Sequence, residues 1–195
     1  EELVKLDDFA GSIVILDFFA YWCVPCRKVS SDLEEYVQKF YTAKGGNAAG
    51  FPVQVVSMNI EQGRAAKTRQ YIKQTGVNLV LDDVGGKVYQ SLNGRGIPYV
   101  VVLTETAGGS HWEISYSHAG YEGYEKVREV IDSIRPDDPQ AIRPLDKPTP
   151  DVAIPSAHGL EIGTDGLWSN DIFLTDTTAT HVFTRGVTEF RTSYS

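Results

Sequence analysis

The sequence is short of sulfur and of basic clusters. Its 195 residues include two cysteines and one methionine, and the net charge is −8. Two cysteines are too few for a disulfide-built scaffold. They are also too few for a zinc site, which needs about four ligands, because His111, His118, His158 and His181 all lie far from the pair in sequence. No lysine- or arginine-rich run is present, which argues against nucleic acid and against anionic membrane surfaces as partners. No apolar run approaches the ~20 residues of a membrane helix; the longest, Ile13 to Ala20, is interrupted by Asp17. Glu1 and Glu2 carry the wrong charge for a secretory leader, and the first methionine is Met58. The expectation is a chain that starts in mid-protein, with any membrane contact made only through a missing tether.

What is present is an apolar share of 42%, enough for a core that needs neither disulfide nor metal. The two cysteines are therefore available for chemistry. Charge is uneven, −3 over residues 1–135 and −5 over 136–195. Six of the nine prolines fall between Pro136 and Pro155, a composition that can form neither helix nor central strand. The expected layout is a domain over 1–135, a Pro-rich linker over 136–155 and a C-terminal extension over 156–195. That extension would hold short strands at Asp171–Leu174 and His181–Phe183 and could begin a larger β-rich domain.

Within the first 135 residues, Ile13–Phe19 and Val53–Ile60 read as strands buried on both faces. Val29, Leu33, Val37 and Phe40 form one helical stripe, and Gly45–Gly50 reads as a loop. Arg64–Thr75 predicts a helix stopped by Gly76, followed by a strand at Val77–Leu81, a turn at Asp82–Gly86 and a short helix at Lys87–Leu92. A strand at Tyr99–Leu103 should pair antiparallel with His111–Ser117. Tyr124–Ile134 closes the domain as a helix with Val127, Val130, Ile131 and Ile134 inward. Strands alternating with helices predict an α/β fold, a mixed sheet covered by helices.

Cys23-Val-Pro-Cys26 follows the first strand directly and opens the first helix. There the unpaired N–H groups and the dipole of a helix start favour a thiolate at Cys23. Cys26, three residues on, is placed to resolve a mixed disulfide, and Pro25 suits a first helical turn. Asp17 is an acid inside a run that should be buried, where a carboxyl tends to stay protonated. Counting forward puts it beneath the helix start, where it could accept a proton from Cys26. Trp22 would shield the site. Ile97-Pro98, directly before a strand, would present the Ile97 backbone to an extended polypeptide if the bond is cis.

Val14-Ile-Leu-Asp-Phe-Phe-Ala-Tyr-Trp-Cys-Val-Pro-Cys26 resembles the strand and active-site signature of the thioredoxin superfamily. Asn93-Gly-Arg-Gly-Ile-Pro98 resembles that family's cis-proline loop. The likeness runs from Leu3 to about Ile134, and the strand–helix insert at Val53–Gly76 and the Arg27-Lys28 pair resemble the TlpA/ResA-like subgroup. Two positions depart from the subgroup's habit. Val29-Ser30 stand where members often carry Glu, and Asp17 where many have Asn.

The resemblance implies a thiol–disulfide oxidoreductase that reduces protein disulfides, with Cys23 and Cys26 as the dithiol and Asp17 as proton acceptor. Trp22, Ile97 and Pro98 would form the substrate groove. It implies no cofactor, an upstream thiol–disulfide redox partner, and an extracytoplasmic setting such as the bacterial periplasm, with the cytoplasm as the alternative. The competing expectation is a tethered redox-sensing or interaction module with little turnover. Metal delivery by the reduced cysteine pair is the third.

Overall fold

A computed structural model describes residues 3–61, 63–106 and 111–135, together with short strands at 159–162, 182–184 and 189–192. The linker expected over 136–155 and the strand expected at Asp171–Leu174 lie outside the described residues. A short strand β1 (Leu3–Lys5) and one 3₁₀ turn precede β2 (Ile13–Phe19). Parallel to β2 runs β3 (Val53–Asn59), and antiparallel to it on the other side runs β5 (Tyr99–Glu105). The parallel partner β4 (Val80–Asp82) and the antiparallel partner β6 (His111–Ala119) flank these. The result is a mixed five-strand sheet in the order β4-β3-β2-β5-β6. Beyond it, β7 (Gly159–Ile162) joins β4, β8 (Val182–Thr184) joins β6, and β9 (Glu189–Thr192) joins β1 and β7.

All seven residues of β2 are buried, because helices cover both sheet faces. Side chains alternate across a strand, so Val14, Leu16 and Phe18 enter one core with Met58, Val101 and Leu103. Ile13 and Ile15 enter the other with Val29, Leu33, Val127 and Ile131. By the same alternation Asp17 and Phe19 fall on the second face, the one roofed by α1 (Val24–Leu33). The helix α5 (Tyr124–Ser133) packs on this face through Val127 and Ile131, with Val130 and Ile134 at its edge.

α1 does not continue as a plain α-helix. Five residues, Glu34–Gln38, form a wider π turn before α2 (Lys39–Lys44). The expected stripe ending in Phe40 is corrected accordingly: Val29, Leu33, Val37 and Tyr41 are buried together, and Phe40 is only partly covered. Four-residue spacing drifts by about 40° per step on an α-helix, and the π turn, with more residues per turn, takes up that drift.

α3 (Ala65–Thr75) ends at Gly76 in the left-handed region, φ 75°, where a side chain would be strained. The strand expected at Val77–Leu81 is shifted to Val80–Asp82. Asp82 closes β4 instead of opening a turn, since Asn59, in register with it, donates to its carboxylate at 2.6 Å. Asp83 instead caps α4 (Lys87–Ser91), accepting from the N–H groups of Val88 and Tyr89 at 3.0 and 2.8 Å. Among the described residues no helix is long and apolar enough to cross a membrane.

Candidate active site

The end of β2 hands the chain to α1 through Ala20, Tyr21 and Trp22. Cys23 is the N-cap residue of α1, and its Sγ accepts the Cys26 N–H at 3.3 Å. Pro25 occupies the first turn, where its missing N–H leaves no gap in the helical ladder. Cys23 and Cys26 are joined as a disulfide, with Cα atoms 5.3 Å apart. The Cys26 N–H that holds Cys23 Sγ would equally stabilise a thiolate there, as the free N–H groups of a helix start favour negative charge. Exposure separates the two cysteines. Cys23 keeps 3% of its surface and Cys26 none, while Trp22 and Val24 on either side of Cys23 are 54% and 68% exposed. An incoming thiol therefore meets Cys23 first.

The cysteines sit in a small apolar cluster with Phe19, Ala20, Tyr71, Val77 and Val80. Ile97, just before β5 at the same end of the sheet because Tyr99 pairs with Phe18, packs against the same cluster. The Ile97–Pro98 bond is cis, and Pro98 O accepts the Gly120 N–H at 2.8 Å, tying that loop to the end of β6. Trp22 Nε1 donates to Glu61 Oε2 at 3.2 Å, which holds the indole toward the segment after β3.

Asp17 is wholly buried. Ser30, one helical turn beyond Cys26 on the buried side of α1, donates to Asp17 Oδ2 at 2.5 Å. The Ser30 hydroxyl also shares a hydrogen bond with the Tyr71 hydroxyl at 2.7 Å, so a chain of three polar groups runs from the carboxyl across α1 to α3. Ser57 on β3 is in register with Asp17 and favours its charged form. Even so, Asp17 Oδ1 and Ser57 Oγ each lack a partner within hydrogen-bond geometry among the described residues. Burial dominates, pushing the Asp17 carboxyl from 3.8 up to about 7, with Ser30 and Ser57 pulling the other way. A carboxyl poised near neutrality can both take and release a proton at working pH. Burial, and then the neighbouring Asp17 carboxyl, raise the Tyr71 phenol well above its ordinary value, against the opposing pull of Ser30 and Arg27. Tyr71 therefore stays neutral, with its ring stacked on Phe19 at 4.2 Å.

Ser30 and Tyr71 had no signal in the sequence, lying 13 and 54 residues from Asp17 with nothing in the spacing to join them. Only the packing of α1 and α3 over the same sheet face brings them together.

The thioredoxin-like family model matches residues 11–108, just over half of the chain. Thiol-disulfide oxidoreductase ResA of Bacillus thuringiensis subsp. konkukian is 26% identical over 134 residues, covering 68% of this chain and 69% of that protein. A thioredoxin-like protein of Acanthamoeba polyphaga mimivirus is 35% identical over 49 residues, which are 22% of this chain and 36% of the viral protein. Among solved structures, one described as a thiol:disulfide interchange protein DsbE of Chlorobium tepidum superposes with a TM-score of 0.53 at 27% identity. That match covers 67% of this chain and 84% of that one. The chain belongs to the thioredoxin-like family, as a thiol–disulfide oxidoreductase.

Proposed function

We propose that the chain reduces disulfide bonds in client proteins from an extracytoplasmic position, taking its electrons from an upstream thiol–disulfide partner. The observation that carries this is Cys23 at the cap of α1, the more exposed of the two bonded cysteines, with its Sγ held by the Cys26 N–H. In the reduced chain the Cys23 thiolate attacks one sulfur of the client disulfide, and the other client sulfur leaves as a thiolate that takes a proton from solvent. Asp17 accepts the proton of Cys26, and the Cys26 thiolate attacks Cys23 Sγ. This attack breaks the mixed disulfide, releases the second client thiolate and closes Cys23–Cys26. Two electrons have then passed to the client. Trp22, Ile97 and Pro98 frame the groove, with Ile97 against the cysteine cluster and the cis bond beside it leaving its backbone available to an extended chain.

Turnover of a protein disulfide such as that of insulin tests the reading. Cys23→Ser should abolish it, and Cys26→Ala should trap a mixed disulfide through Cys23. Undiminished turnover by Cys23→Ser would end the proposal, and a folded, reducible chain with no turnover at all would favour a sensing module. Direction is read from the potential of the pair. A value near about −270 mV supports a reductant, and one near about −120 mV reverses the flow of electrons.

A further inference from the structure

Beside the disulfide lies a cleft of about 280 Å³ between the start of α1 and the exposed side of α3. This is below the lower limit of about 300 Å³ for pockets that hold drug-sized ligands, and suits a side chain of a larger partner. Tyr21, Trp22 and Tyr71 give it an aromatic lining. The remaining lining is Arg27 from α1 and Lys67, Gln70 and Gln74 from α3. On α3 these last three share one helical face with Tyr71, at spacings of three and four. The cleft is thus lined by two cations and two amides, and no Asp or Glu among the described residues lines it, in a chain whose net charge is −8. The acid nearest to it on Trp22, Glu61, already accepts the indole N–H at 3.2 Å.

Arg27 is held in an unusual way. One terminal nitrogen, Nη2, donates to the Tyr21 carbonyl at 3.2 Å, which fixes the guanidinium, yet its Nε is buried with no hydrogen-bond partner among the described residues. A buried donor left unmade is costly. A carboxylate pairs naturally with the planar fork of arginine, and Arg27 is only half-buried where it lines the cleft. Arg27 follows Cys26 directly and stands four residues, about 6 Å of helix rise, from Cys23. A group bound there lies only a residue or two from a client cysteine at Cys23, since an extended chain covers about 3.3–3.6 Å per residue.

We propose that this cleft is a carboxylate subsite, so that the chain selects client disulfides whose cysteines are flanked by Asp or Glu. The selection deepens the client reduction proposed above and rests on it. Arg27 and Lys67 act as specificity residues: they hold the client's acid and take no part in the exchange of sulfur bonds.

The test uses the whole chain and two disulfide peptides that differ only by Asp against Asn next to the cysteine. The reduced chain should prefer the acidic peptide about fivefold in kcat/KM at low ionic strength, the scale of a well-placed ion pair, and salt should shrink the preference. Lys67→Glu, at an exposed position, should bring the ratio to one or below, and Arg27→Gln should lower it as well. A second measurement separates this from the redox reading. Cysteine-free acidic and amide peptides are titrated onto the oxidised chain, where binding of the acidic one and its weakening by Lys67→Glu stand whether or not the chain turns over disulfides. Equal rates for both peptides together with equal binding of both would overturn the subsite. Displacement of the acidic peptide by inorganic phosphate at matched ionic strength, with tighter binding of the phosphate, would overturn the carboxylate assignment.

Discussion

Replacing Asp17 by Asn removes the buried acid beneath the active-site helix while keeping its shape. The folded chain holds the Asp17 proton up to about pH 7, and the unfolded chain releases it near 3.8. Between those values the unfolded state binds fewer protons, so stability falls as pH rises; the penalty is absent below 3.8 and complete above about 7. Each unit of displacement is about 1.4 kcal/mol, and the interval corresponds to about 4 kcal/mol for a group with no exposed surface. Asn carries no such penalty. Its amide can still accept from Ser30, and its NH₂ faces Ser57, whose hydroxyl has no partner in geometry. Urea unfolding of the oxidised proteins from pH 4 to 9 is the assay. The stability of Asp17→Asn relative to the parent should grow through pH 4–7 and level off above 8, with a rise in melting temperature of about 10 °C at the plateau. Disulfide turnover should fall by about a hundredfold over the same range, because Cys26 loses its proton acceptor. A constant offset between the two unfolding curves at every pH would refute the reasoning, since some other group would then hold the proton.

Two further outcomes are expected. Tyr71→Phe keeps the ring on Phe19 but withdraws one partner from Ser30. It should cost about 1 kcal/mol and, by weakening the Ser30 donation, move the Asp17 midpoint upward, read from the carboxyl ¹³C shift; a downward move would reverse the polarity assigned to that chain. Asn47 donates to the carbonyls of Ile131 and Ile134 at 2.8 and 3.2 Å and accepts from the N–H groups of Ala49 and Phe51 at 3.0 Å each. Asn47→Ala should therefore lose about 2–4 kcal/mol in urea unfolding with the disulfide reaction unchanged, and a loss under about 0.5 kcal/mol would show that water replaces those bonds.

The strands β2, β3 and β5 were legible because burial on both faces leaves a continuous apolar, β-branched run. Against that background Asp17 stood out as an anomaly, and the Cys23–Cys26 spacing stated its own chemistry. Elements whose ends depend on side chains from other segments were less legible. Asp82 looked like a turn residue because its partner Asn59 is 23 residues away. Asn47 sat unnoticed in a run of Gly and Ala, although it ties that loop to the end of α5. Ser30, Tyr71 and the Arg27 cleft share this origin: each is made by α1 and α3 lying side by side, and neither helix announces its neighbour. The C-terminal strands β7 and β9 fall in a Thr-, Asp- and Gly-rich stretch, where three alternating residues, Leu160-Glu161-Ile162, and a lone Phe190 are too short a pattern to mark them.

The π turn at Glu34–Gln38 has a consequence for chain length. Val29 and Tyr41 are twelve residues apart, a separation that on an unbroken α-helix would leave them about 120° out of phase. Eleven residues would bring them within about 20°. A homologue or variant one residue shorter between positions 34 and 38 would therefore carry a straight helix with the same face on the sheet and the same seat for Cys26 and Ser30. A deletion on either side of that window would turn the buried face toward solvent.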